Sequence, residues 1–551
     1  MKALAAAALA GLALSALPLA AGSAGAAPPP AAASGDRAGA RGVVADPGNV
    51  CAIADDTAAV AASTPGDLLA APQDVTAESG LVYGRLYRVL YATTGEAGTV
   101  EATCGLIAEP EIEQISGVIA WAHGTRGLTE TCQPSTDPAA FVGPMPGGIG
   151  APSSDDSQQD GALFHMLQSG SAIVATDYYS LGEDGSTGLQ HYVLGVPEAA
   201  AVLDSARVLT GNAAAFGLSP IAPGAELPLV TWGHSQGGGS ALWAGQLARQ
   251  YLALHDDSTL DLAGVVALAP ATQYTTSPGQ PRKFLGKHLG DRDMYNMNPG
   301  LGIPFPIGAA LFSYVTASWS QLENANAGAL PFGPTSDVSL ADVLSPQGQA
   351  TAPVVASYCL NGPDMLKLVG AVSKYLNPNK NRFFASPFSG SNASGRWQGG
   401  IDATCANPSA FPQGVPDWCA WLQFNMPGPY GVNPYSKVPL DNDGEKVPIY
   451  LAQGRNDRVM WCVSPLGIVT GPACLTAQFR RSLEPAYCLG QGHLQTDYVA
   501  RTNHLALPAA VSTNPSTGDY EGSPLDEFMD AALDRSLPKK CTVNNRPAPP
   551  S

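Results

Sequence analysis

The sequence predicts an α/β protein: a mostly parallel, doubly wound sheet interrupted by a large inserted cap. Three observations predict it. Short and nearly uninterrupted apolar runs recur at 117–122, 171–176, 227–232 and 262–269, the texture of parallel strands buried on both faces. Segments of helical character separate some of them, at 161–168, 197–209 and 239–254, and such alternation builds a sheet covered on both sides. The alternation lapses between residues 271 and 446, a stretch too long to be structureless in a compact protein, and resumes with the apolar run 447–452.

Taken in chain order, the first 26 residues carry one charge, Lys2, then an apolar run to Ala21 and the small residues Ala24-Gly25-Ala26. That is the pattern of a signal peptide cleaved after Ala26, so the mature chain is expected to be secreted, with no later membrane segment. Residues 27–48 are rich in Ala, Gly and Pro and read as a flexible extension. The core's first part is expected over 49–270, the cap or lid subdomain over 271–446, the core's second part over 447–537 and a Pro-rich tail over 538–551. Residues 86–91 alternate and are rich in β-formers, and 100–107 read as their antiparallel neighbour across a Gly-containing turn. Helical pieces are expected at 364–375 in the cap and at 525–537 near the end.

Composition narrows the function. The 551 residues include 61 Gly and 48 Pro, yet 45% are hydrophobic, which describes a loop-rich globular chain rather than a disordered one. Only 13% are charged, and the net charge is −18. Such a surface repels phosphate backbones, and no Lys/Arg-rich tract opposes it, so nucleic acid is excluded as a partner. Ten cysteines in an exported chain imply up to five disulfides. The short loop from Cys462 to Cys474 suggests one of them. No CxxC pair or clustered Cys/His spacing calls for a metal, and no cofactor is expected.

The sharpest motif is Gly233-His234-Ser235-Gln236-Gly237, a G-x-S-x-G preceded by an apolar strand and followed by a small-residue helix. This strand–turn–helix setting is what a nucleophile elbow requires, and it nominates Ser235 as nucleophile. The glycines serve a strained turn in which flanking Cβ atoms would clash. Chain order after the nucleophile is acid, then histidine. Asp457 lies in the turn just past the strand 447–452, where such sheets place their chemistry. Asp441 and Asp443 are weaker rivals, in what reads as a turn before that strand. Among eight histidines only His493 and His504 follow Asp457. The Gly-rich loop around His493 favours it as the base, with His504 as the alternative. Two backbone donors are needed for the developing oxyanion. The N–H of Gln236 is one, and the loop Ala122-His123-Gly124-Thr125 supplies the other, from Thr125 or Gly124.

These tracts resemble the secreted lipase family typified by a yeast lipase A. The resemblance covers residues 64–535 and rests on Thr64-Pro65-Gly66-Asp67-Leu68-Leu69, the strand 87–91 with Thr93-Thr94, and Ala122-His123-Gly124-Thr125. It continues through Cys132-Gln133-Pro134-Ser135, Thr176-Asp177-Tyr178-Tyr179-Ser180-Leu181-Gly182, Gly233 to Gly238, the Asp457 turn and His493. It implies an α/β-hydrolase fold with a helical lid, hydrolysis of carboxylic esters including triacylglycerols, and catalytic roles for Ser235, Asp457 and His493. The expected partner is therefore an ester or lipid substrate. Within the cap, the apolar run 301–312 is a candidate wall for an acyl pocket or for the cap's own core. A serine peptidase or amidase of the same fold, and a non-catalytic binding protein, are the competing readings.

Overall fold

The computed structural model describes most residues from 44 to 547. Residues 1–43, 151–160, 180–187, 276–282, 289–305, 389–399, 461–474, 489–492, 538–541 and 548–551, with scattered others, lie outside the description. The expected leader, most of the extension and the suggested Cys462–Cys474 bridge fall there. The sheet has ten strands, numbered here in chain order: β1 Gln73–Asp74, β2 Arg85–Thr94, β3 Val100–Glu109, β4 Gly117–Ala122, β5 Ser171–Thr176, β6 Leu227–His234, β7 Leu260–Leu268, β8 Ile449–Gly454, β9 His493–Val499 and β10 Thr542–Pro547. Their spatial order is β10-β9-β8-β7-β6-β4-β5-β3-β2-β1. β1 to β3 pair antiparallel, and β3 meets β5 antiparallel. From β5 onward every pairing is parallel.

The near-continuous apolar runs have the cause expected of them. Along β4, Val118 and Ala120 join one hydrophobic cluster while Ile119 and Trp121 join another on the opposite face. The side-chain period of two delivers alternate residues to two separate interiors, so neither face tolerates polarity. The helices that bear on the site are α1 Ala162–Gln168, α2 Gly195–Gly211, α3 Gln236–Leu254, α4 Pro306–Trp319, α5 Pro346–Ala356, α6 Gly362–Ser373, α7 Val415–Phe424, α8 Leu475–Cys488, α9 Leu507–Val511 and α10 Pro524–Leu533. α2 and α3 cover one face; α1, α9 and α10 pack on the other.

The insertion runs between β7 and β8 and contributes α4 to α7. Phe312, Trp319, Trp418 and Trp421 belong to the same buried cluster as α2 and α3, so the insertion shares the core's interior. Indole N–H groups seal the seam: Trp319 donates to the Tyr192 carbonyl and Trp243 to that of Asn425, at 2.8 and 2.9 Å. Among the described residues three disulfides are formed, Cys51–Cys104, Cys132–Cys359 and Cys405–Cys419. Among the described residues no helix is long and apolar enough to cross a membrane.

Three differences from the sequence reading matter. Residues 493–499 form an interior strand, not the edge of a Gly-rich loop, and 542–547 add a parallel edge strand where a tail was expected. Polar side chains in both strands mask them: β9 reads HLQTDYV and β10 reads TVNNRP. Residues 44–46, assigned to the extension, pair with the strand Asn49–Ala54.

Candidate active site

Ser235 sits where β6 ends and α3 begins, with φ +61° and ψ −119°. A non-glycine residue at positive φ is strained and persists only when its surroundings impose it. They do so here by close approach. A Cβ on Gly233 would fall on the carbonyl of Gly237, and one on Gly237 would fall on the carbonyl of Ala122. Backbone bonds fix the turn from outside: the Ser235 N–H donates to the Leu268 carbonyl at 2.9 Å, and its own carbonyl accepts from Ala271 at 3.0 Å.

The histidine beside this serine is His504. Its Nε2 lies 2.8 Å from Ser235 Oγ and its Nδ1 lies 2.7 Å from Asp457 Oδ2. The reading that favoured His493 is therefore corrected. His493 is the first residue of β9, so it stands at the amino end of a parallel strand, whereas the chemistry gathers at the carboxyl ends. At about 3.3 Å per residue the strand separates it from that rim by about 20 Å. His504 lies in the loop between β9 and α9, the loop that follows the carboxyl end. Arg455 donates to the Val499 carbonyl and Asn456 to that of Thr502, at 2.9 and 3.0 Å, which stitches this loop to the turn carrying Asp457. Three successive polar residues, Gln495, Thr496 and Asp497, hide this strand, so no local pattern points past it to His504.

Asp457 is fully buried. Its Oδ1 accepts the amides of Val459 and Met460 at 2.8 and 2.9 Å, and its Oδ2 also accepts the Gln453 side chain at 2.6 Å. Burial alone would raise this carboxyl, but the His504 ring and these hydrogen bonds hold it below the usual carboxylate range. Asp441 does not approach the site. It closes the Leu440–Lys446 bridge ahead of β8, at the opposite rim of the sheet. His234, inside the elbow, places its Nε2 2.9 Å from the His504 carbonyl and its ring 4.6 Å from the His504 ring. Burial drives its pKa down to about 3, so it works as a neutral strut.

The expected oxyanion donors converge. Gln236 opens α3, where the first amides have no intrahelical partner. Gly124 follows β4, and a Cβ built on it would stand 3.6 Å from the Ser235 Cβ. Thr125 is held through its hydroxyl, 2.8 Å from the Tyr192 hydroxyl. His123 is buried with Nδ1 2.6 Å from the Gly124 carbonyl, and burial lowers it to about 4. It braces the loop as an uncharged ring.

Ser235, Gln236 and Thr125 open into one cavity. Its remaining wall is mainly apolar: Val193 and Tyr192, Ala271 and Tyr274, Val459 and Met460, Leu475, and Leu311 and Val315 from α4. Part of the 301–312 run thus reaches the cavity through Leu311, while 301–305 lie outside the described residues. Among the described residues no group of His, Cys, Asp and Glu side chains could hold a metal ion.

The sheet order, the elbow and the strand-end loops define an α/β-hydrolase fold. Candida antarctica lipase A in its closed state has a similar structure, with a TM-score of 0.50 at 15% identity, covering 89% of this chain and 87% of that one. The rice cell wall degrading esterase LipA from Xanthomonas oryzae superposes with a TM-score of 0.46 at 14% identity, covering 86% of this chain and 98% of its own. No family model and no curated protein matches the sequence.

Proposed function

We propose that the protein is a secreted serine hydrolase that cleaves carboxylic esters, of the lipase or carboxylesterase kind, through an acyl-enzyme. The observation that carries this reading is the continuous chain Ser235–His504–Asp457, with links of 2.8 and 2.7 Å, at the foot of an apolar cavity. His504 Nε2 takes the Ser235 proton as Oγ attacks the ester carbonyl, and Asp457 steadies the resulting imidazolium. The N–H groups of Gln236 and Thr125, with Gly124 beside them, face the oxygen that gains charge. His504 then protonates the departing alcohol, leaving an acyl group on Ser235. Water, deprotonated by the same ring, releases the acid and restores the serine. An apolar wall with few charges suits an uncharged ester with a hydrocarbon portion. The signal-peptide pattern and the formed disulfides support export.

The test is turnover of p-nitrophenyl acyl esters of increasing chain length against aminoacyl anilides, by wild type and Ser235→Ala. Ester turnover falling by about 10⁴-fold or more in the variant is expected. Turnover of anilides alone would move the reading to a peptidase, and ester turnover surviving Ser235→Ala would refute the mechanism.

A further inference from the structure

Glu198 is a carboxylate that the reaction itself does not use. It lies in the first turn of α2, only 2% exposed, and among the described residues it has no ion pair. A buried acid without a cation is expensive to hold ionised. Burial pushes its pKa up to about 7 against the pull of its hydrogen-bond donors.

Those donors come from three separate places around the reacting serine. Glu198 Oε1 accepts the Gln236 side-chain amide at 2.6 Å and the Val193 N–H at 2.8 Å, and Oε2 accepts the Ser240 hydroxyl at 2.5 Å. The other amide atom of Gln236, Oε1, is buried without a hydrogen-bond partner among the described residues. The contact to Glu198 is therefore what orients that side chain. Ser240 lies 3.2 Å from the Tyr178 hydroxyl, which donates at 2.9 Å to the carbonyl of His123, the residue before Gly124. Val193 follows Tyr192, whose hydroxyl meets Thr125. Contacts thus run from one carboxyl to both arms that would face the oxyanion.

We propose that Glu198 is a positioning residue for the oxyanion hole, holding the Gln236 arm directly and the arm of Gly124 and Thr125 through Ser240–Tyr178 and Val193–Tyr192. This rests on the ester-hydrolysis reading. Preorganisation is what gives such donors their value, since dipoles that must reorient at the moment of reaction stabilise less.

The experiment compares wild type with Glu198→Gln, which keeps the volume and replaces one acceptor oxygen by an amide that faces donors. Fluorophosphonate labelling of Ser235 and wild-type ester turnover are measured first, and their absence would sink the esterase reading on its own. Given both, kcat for p-nitrophenyl butyrate is expected to fall about 10- to 100-fold with KM within about twofold, because a donor's position is disturbed while the pocket is not. Affinity for a trifluoromethyl ketone, whose serine adduct places an oxyanion in the hole, should fall by a matching factor. Affinity for the corresponding carbinol, which forms no adduct, should hold. If Glu198→Gln does not fold, Gln236→Met serves instead: it keeps the main-chain N–H, removes only the tether, and should show the same pattern more weakly. Wild-type kcat and ketone affinity would overturn the proposal. So would a loss shared equally by KM and carbinol binding, which marks a general disturbance of the pocket.

Discussion

The two loops that meet at the reaction centre are specified in different ways. The elbow is fixed by sterics: at Gly233 and Gly237 a single methyl group would collide with a backbone carbonyl, so the sequence must carry glycine and the motif is visible. The loop after β9 is fixed by topology. His504 reaches Ser235 because β9 runs parallel to β8 and ends beside it, with Gly454 opposite Val499 in register. Its immediate neighbours, Arg501-Thr502-Asn503 and Leu505, include no glycine to mark the place, although Arg501 itself sits at φ +56°. A steric constraint leaves a local signature, whereas a topological one leaves its signature in the strand that precedes it.

The largest test of that contrast exchanges the two histidines. His504→Ala should lower kcat for a p-nitrophenyl ester by about 10⁴-fold or more, while His493→Ala should keep kcat within about tenfold of wild type. Equal losses in both variants would mean that the loop after β9 is not what delivers the base. The steric half of the comparison is sharpened by Gly233→Ala. Its Cβ meets backbone that cannot turn aside, so a loss of about 3 kcal/mol or more of stability is expected, read as a lower melting temperature. An unchanged melting temperature would show the elbow to be looser than its glycines imply.

The smallest expected effect concerns pH. Folding lifts Glu198 from an ordinary value near 4.5 to about 7 by burial. The folded protein therefore binds a proton there that the unfolded chain has released. This group's contribution is most favourable below the unfolded value and declines as pH rises through the window from 4.5 to 7. The stability of Glu198→Gln relative to wild type should accordingly rise across that window, by a quantity on the order of 3 kcal/mol. Denaturant unfolding of both proteins at several pH values measures it, and a flat difference would contradict the buried, cation-free setting of Glu198.

Much of the fold was legible because two-sided burial writes itself into sequence. β4 and β5 begin and end where their apolar runs do, α3 follows its helical pattern closely, and α10 starts as expected but ends at Leu533, four residues early. β9 and β10 were not, since Gln495, Thr496, Asp497, Asn544 and Asn545 interrupt the apolar texture near the sheet's edge. The polar texture of β9 is what makes a Gly-flanked histidine read as better placed than one beyond the strand. Glu198 was illegible for another reason. A single acid in the run Gly195-Val196-Pro197-Glu198-Ala199-Ala200 reads as an ordinary helix start, and only the packing of α2 on α3 reveals what it holds.

The Cys132–Cys359 bridge has a consequence for proteolysis. It closes a covalent ring from the oxyanion loop's far side to the insertion, spanning 227 residues of chain. Ser235 lies inside that ring, whereas Asp457 and His504 lie outside it. A protease that cuts once anywhere between residues 132 and 359 leaves both fragments joined, still carrying Ser235, Asp457 and His504 on one covalent framework. A cut between 360 and 456 has no such safeguard from this bridge. Damage to the first half of the insertion is a nick; damage beyond Cys359 leaves Ser235 joined to Asp457 and His504 by packing and by whatever other bridges span the cut.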